Sequence, residues 1–176
     1  MSLGYLLASL PMLFPDRAPA LTVEAFADAC RSALSAGDAQ AAALLATGSD
    51  APCGHASVKA WRALEAAIDT AVGRCRLARR AGGETFAPPE TPACPVWLSR
   101  AVAAAFESAP DPLVREQALL RVRWAAADDF GGFDPMAKAQ VFAYAVKLCL
   151  AHRQAALDAA KGAERLEAGL PRQSLP

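Results

Sequence analysis

The chain has 176 residues and no formal net charge, with eighteen basic side chains against eighteen acidic ones. That balance argues against general nucleic-acid binding, which needs a basic excess to neutralise phosphates. The length suffices for one domain with a sizeable core.

The first apolar run, Leu3 to Phe14, has no Lys or Arg before it and is interrupted by Pro11. It reads as a buried first element of the mature protein, because a secretory peptide normally starts with positive charge and a dozen residues are too few to cross a bilayer. Within it, Tyr5, Leu6, Leu7 and Leu10 fit a helical face or a strand equally well. Pro11, Pro15 and Pro19 then impose an extended connection. Thr22 is placed to cap a helix running to about Ser35, with Val23, Phe26, Ala27, Cys30, Ala33 and Leu34 on one face. Gly37 ends it, and Asp38 caps a short alanine-rich helix reaching about Ala46. Gly48, Pro52 and Gly54 mark the following loop.

A longer helix is expected from about Ser57 to Arg80. Val58, Trp61, Leu64, Ile68, Ala71, Val72, Cys75 and Ala78 form its apolar stripe, anchored by the large Trp61 indole. Its end carries Arg74, Arg76, Arg79 and Arg80. These cations offset the helix dipole, or they form a docking patch for an acidic partner surface. At about 100° per residue Arg76, Arg79 and Arg80 can share a face. Residues 82–95 hold Gly82, Gly83, Pro88, Pro89, Pro92 and Pro95 and read as a stiff connection. It divides one all-α domain, 1–176, into helical halves 1–81 and 96–176. Val96 to Ser108 is helical, with Trp97, Ala101, Ala104 and Ala105 facing inward. Asp111-Pro112 starts a helix to about Asp129, with Leu113, Leu120, Trp124 and Ala127 along one side. Gly131-Gly132 breaks it. Asp134-Pro135 repeats the same start device and opens the longest element, a C-terminal helix to Gly169 that would either be the spine other helices lean on or project from the body. About six helices in a bundle result, with no convincing strand after residue 20.

Chemistry is sparse in this sequence. No phosphate loop, dinucleotide fingerprint, nucleophile elbow or H-E-x-x-H is present. The five cysteines, Cys30, Cys53, Cys75, Cys94 and Cys149, form no C-x-x-C pair and read as reduced thiols of a cytosol acting as small core residues. Cys53 and His55 are the one close Cys/His pair, too few ligands for a tetrahedral zinc shell. Asp128, Asp129 and Asp134 cluster near a helix end, where capping accounts for them without a reaction. Tyr144 and Lys147, at i and i+3, read as a contact surface or as a core boundary with the lysine stem laid along it. No catalytic residue, metal or cofactor is expected.

Several stretches in combination resemble an uncharacterised bacterial family encoded beside V/A-type rotary ATPases. They are Tyr5 to Pro11, Leu21 to Cys30, AWRALEAAI from Ala60, DPLVRE from Asp111, Trp124, Phe133-Asp134, and Ala143 to Gly162. That family is taken to replace, or to be related to, the C-type component of the central stalk, known as the d-type component in eukaryotes. The chain departs from it at Ile68-Asp69, where the family carries Arg-Asn, and at Gly131-Gly132, where it carries a histidine before Phe-Asp. The resemblance implies a non-catalytic subunit or accessory protein in ion transport, linking soluble rotor to membrane ring. Its partners would be the ATPase central stalk and ring, with no nucleic acid and no membrane span of its own. It implies a cytoplasmic protein, or one held at the inner membrane through ATPase subunits. The alternative is a free-standing helical adaptor or assembly factor that binds another protein.

Overall fold

A computed structural model describes residues 2–80, 94–109 and 111–157. They form seven helices and no strand: α1 (Leu3–Ser9), α2 (Val23–Ala33), α3 (Ala36–Thr47), α4 (Ala56–Arg80), α5 (Val96–Ser108), α6 (Pro112–Gly131) and α7 (Lys138–Ala156). The chain is an all-α bundle. The ambiguous first element is a helix.

At several helix starts short polar side chains satisfy free N–H groups of the first turn, though the starts of α5 and α7 have no side-chain cap. Ser2 accepts from Tyr5 N at 3.3 Å and Thr22 from Ala25 N at 3.2 Å. Asp111 accepts from both Leu113 N and Val114 N, at 2.7 and 3.1 Å, with Pro112 at the first helical position. Three boundaries differ from the sequence expectation. Helix α2 stops at Leu34, not Gly37, and Gly37 lies inside the first turn of α3. Ser35, not Asp38, caps α3, because the serine oxygen accepts from Asp38 N at 3.2 Å while Asp38 sits three residues on. Asp134-Pro135 does not open the last helix, which begins at Lys138. The Asp134 carboxylate accepts from Met136 N at 2.9 Å and its carbonyl from Ala137 N at 3.2 Å. Those bonds close a turn in which the proline changes the chain direction before the helix starts. Helix α7 ends at Ala156 with Leu157 as its extended C-cap, short of the expected Gly169; the residues beyond Leu157, like the proline-rich connection up to residue 93, lie outside the described residues.

One apolar core draws on all seven helices, from Leu6 of α1 to Leu148 and Leu150 of α7. Helix α7 is its spine. It packs on α1, α2, α3 and α6, and Val141, Phe142, Ala145, Val146 and Leu148 are buried around more than one of its faces, as befits a helix enclosed by others. On the other side α4, α5 and α6 pack pairwise. Trp61 near the start of α4 lies 5.7 Å from the Phe130 ring near the end of α6, and Asp69 farther along α4 meets Arg123 farther back on α6. The two helices therefore run antiparallel, side by side. Trp61 is 4% exposed, the anchor that its stripe predicts. The inward face of α5 is rotated from the expected one: Leu98, Val102, Ala105 and Phe106 are buried, whereas Trp97 and Ala104 are exposed. Large side chains at i, i+4 and i+8, Leu98, Val102 and Phe106, take the core positions together with the expected Ala105, while Ala101 is half-buried against them.

Candidate docking surface

The described surface has two distinct ends, set by the two ends of α6. The first is basic. Residues 1–69 carry four basic and seven acidic side chains, whereas residues 70–125 carry eight arginines and five acidic residues. A chain of zero net charge is thus internally polarised. Arg76, Arg79 and Arg80 line one surface groove together with Phe106 and Arg115. The sequence places the first three on a shared face, and α6 adds Arg115, which only the tertiary fold brings there. Arg79 donates to the Phe106 carbonyl, and its guanidinium lies 5.5 Å from that ring's centroid. Arg115 covers the same ring at 5.1 Å and donates to the Ala109 carbonyl from Nε at 3.1 Å and Nη2 at 2.9 Å. These two arginines fasten three helices around one aromatic ring, an arrangement favoured by the ring's negative face. Arg76 and Arg80 are exposed beside them. Arg74 does not line the groove; it stands near Cys94, where its charge opposes the rise that burial imposes on that thiol.

Tyr144 and Lys147 lie at the other end, and both have internal partners. The Tyr144 hydroxyl donates to the Pro11 carbonyl at 2.9 Å, and its ring stacks on Phe26 at 5.5 Å. Burial pushes this phenol up to about 12. Tyr144 thereby holds the extended N-terminal connection against α7. Lys147 pairs with Asp128 and lies 5.5 Å from the Trp124 ring centroid. The two residues form part of the wall of a groove and do not stand out from it.

Two polar clusters lie between the ends. The Asp38 carboxylate accepts from Lys138 Nζ at 2.8 Å and from Ser35 Oγ at 2.7 Å, and lies 3.2 Å from His55 Nε2. His55 Nδ1 accepts from Ser57 N at 3.2 Å, which leaves the Nε2 proton for Asp38. His55 therefore caps α4, and the Cys53/His55 pair serves a helix start. The Lys138 and Ser35 hydrogen bonds hold Asp38 down at about 2. One carboxylate so pins the starts of α3, α4 and α7 together. The second cluster lines a cleft of about 300 Å³ that includes Arg62, Glu65, Arg123, Arg153 and Cys149. Each arginine has a partner: Arg62 donates to the Ser49 and Ala51 carbonyls, Arg123 pairs with Asp69, and Arg153 with Glu116. Burial raises Glu65 despite the opposing Arg123 charge. Neither cluster was visible as a unit in the sequence, because each joins residues from separate helices.

Among the described residues no group of three or more His, Cys, Asp or Glu side chains could hold a metal ion. None of their helices is long and apolar enough to cross a membrane. The five cysteines are free thiols, Cys30 buried and the others half-buried, and burial pushes Cys30 up to about 11. Asp128, Asp129 and Asp134 are exposed on the surface. Comparison of the chain with protein-family models, with curated proteins and with solved structures found no match.

Proposed function

We propose that this chain is a non-catalytic subunit or accessory protein of a V/A-type rotary ATPase, of the C/d type, linking the soluble rotor to the membrane ring. The choice of machine rests on the resemblance carried by Tyr5 to Pro11, DPLVRE and Phe133-Asp134. The observation that carries docking as the mode of action is the arginine end, where Arg76 and Arg80 stand exposed beside two arginines already fixed in place. Its occupant is an acidic face of a central-stalk component. The work done is mechanical. Helices α4 and α6 lie antiparallel and share a core, so a load applied at one end passes along hydrogen-bonded rods. The protein would sit in the cytoplasm, peripheral to the membrane through its partners.

The test is a pull-down from native membranes read by mass spectrometry, with the wild-type chain and with an Arg76→Glu/Arg80→Glu variant. Arg79 and Arg115 are left alone because they hold the bundle. Wild-type chain should recover ATPase subunits stoichiometrically. The variant should lose them, and added salt should weaken the wild-type contact, as expected of exposed charges. An ATPase that assembles and turns over normally without the protein would falsify the proposal. The second reading, a free-standing adaptor or assembly factor, is favoured by the apolar groove at the far end of α6, and its sign would be substoichiometric recovery or other partners.

A further inference from the structure

The far end of α6 carries features that the arginine end does not explain. A groove of about 440 Å³ lies between the α1 segment and the start of α7, walled by Leu7, Leu10, Met12, Leu13 and Phe133 among others. Phe133 is fully exposed, and Met12 and Met136 are 78% and 62% exposed. The Met136 sulfur reaches over α1, 3.9 Å from where a Cβ on Gly4 would stand. Isolated exposed apolar residues need no explanation, but a contiguous set around a groove marks a contact site.

The backbone that presents Phe133 is fixed. Gly132 has φ 69° and ψ −168°, a combination open essentially to glycine alone. Gln140 Nε2 donates to the Gly131 and Gly132 carbonyls, at 3.0 Å each. A Cβ on Gly131 would lie 3.0 Å from the Ala143 Cβ, so the turn is pressed against α7. A benzyl group is thus held out into solvent by a turn that has little freedom to fold it back.

The rim has a charge. Asp134 lies between Phe133 and Pro135 of the groove wall and Asp128 pairs with Lys147 of the same wall; both are exposed, as is Asp129 next along α6. Lys147 answers Asp128, while no cation among the described residues pairs with Asp129 or Asp134. A groove walled by leucines, Met12 and Phe133, with Tyr144 and Lys147 on one side and the Asp134 carboxylate at its edge, suits an amphipathic helix whose apolar side chains enter the groove and whose lysines or arginines meet that carboxylate. The geometry points to a second docking site here, for a basic amphipathic helix of a partner protein, at the opposite end of α6 from the arginine groove. At 1.5 Å per residue the two sites stand roughly 30 Å apart along α6, and they select partners of opposite charge. This inference goes beyond the rotary-ATPase reading and does not require it.

A fluorescein-labelled helical peptide of about five turns, with leucines at i, i+3, i+4 and i+7 and lysines elsewhere, is a direct probe. Fluorescence anisotropy with the full chain should show saturable binding. A scrambled peptide of the same composition and a leucine/glutamate version should bind the site at least about tenfold more weakly. Phe133→Ser should weaken the leucine/lysine peptide by about tenfold or more, as expected for an aromatic anchor. Asp129→Asn/Asp134→Asn should weaken it less and flatten its salt dependence. Both variants change exposed side chains, and unchanged circular dichroism melting establishes that they fold. Equal binding of helical and scrambled peptides, or indifference to Phe133→Ser, overturns the proposal. So does sedimentation as a dimer that Phe133→Ser converts to monomer, since a second copy would then be the occupant.

Discussion

Replacing Asp38 by Asn tests whether one carboxylate holds three helix starts. The isostere keeps the shape and an acceptor oxygen but removes the charge. In the folded chain the Lys138 and Ser35 hydrogen bonds, with a smaller part from His55, lower the Asp38 pKa from 3.8 to about 2. The Asp38 side chain is 12% exposed but its main partner Lys138 is 57% exposed, so solvent screens part of that interaction. The fall from 3.8 to about 2 corresponds, at ~1.4 kcal/mol per pH unit and reduced for that screening, to about 2 kcal/mol. For a chain of this size that is a fall in Tm of roughly 4–8 °C. The sign with pH follows from the depressed pKa: the stabilisation is complete above the unfolded value of 3.8 and fades as pH falls toward about 2. Urea unfolding of wild type and Asp38→Asn should therefore differ by about 2 kcal/mol near neutral pH, with the gap closing on acidification. Lys138→Met should couple to Asp38→Asn, so that the double variant loses less than the sum of the singles. A neutral-pH difference under about 0.5 kcal/mol, the size of an ordinary surface change, would refute the reasoning. So would a gap that stays constant down to the lowest pH.

Glu65 is the opposite case, because burial raises its pKa. Its charged form is therefore unfavourable in the folded state, and this penalty grows as pH rises through the carboxylate range. Glu65→Gln should unfold at higher urea than wild type near neutral pH and match it in acid; a lower midpoint at neutral pH would show that the Arg123 attraction outweighs desolvation. Gly132→Ala should destabilise by about 1–3 kcal/mol, since alanine is strained at that φ and ψ, and thermal melting measures it. Gly73 sits in the middle of α4 with open space where a Cβ would go, so Gly73→Ala should stabilise by about 0.5–1 kcal/mol through helix propensity alone, read by the same melts.

Local signals in the sequence located most of the helices. Thr22 and Asp111 announce their helices because each cap bonds within three residues of itself, and the Trp61 stripe is legible because its period matches the turn of the helix. The errors share one cause. Asp134-Pro135 copies Asp111-Pro112 in sequence, yet its carboxylate closes a turn and the helix waits until Lys138. Ser35 and Asp38 are both good caps, and the structure uses the first with the second as its neighbour. Local chemistry allowed either outcome in each case, and packing chose. The candidate surfaces were legible only in part. Arg76, Arg79 and Arg80 share a face as helical spacing requires, while Arg115 joins them from α6. Phe133 stands out in the sequence only through the resemblance, because a period-based reading has no way to assign one aromatic after a Gly-Gly turn to solvent.

Groups that fasten this bundle also form part of the walls of both surface grooves, next to side chains that stand exposed. Asp38, Tyr144, Lys147, Arg79 and Arg115 all carry internal contacts. Arg76, Arg80, Phe133 and Met12 stand beside them, exposed. A side chain whose neighbours are already fixed loses less entropy when a partner arrives, so its interaction contributes more of its strength to binding. Here docking at either end can leave the Asp38 pin and the Phe106 clasp intact. If both proposed sites are occupied, the bundle would act as a spacer between two unlike surfaces.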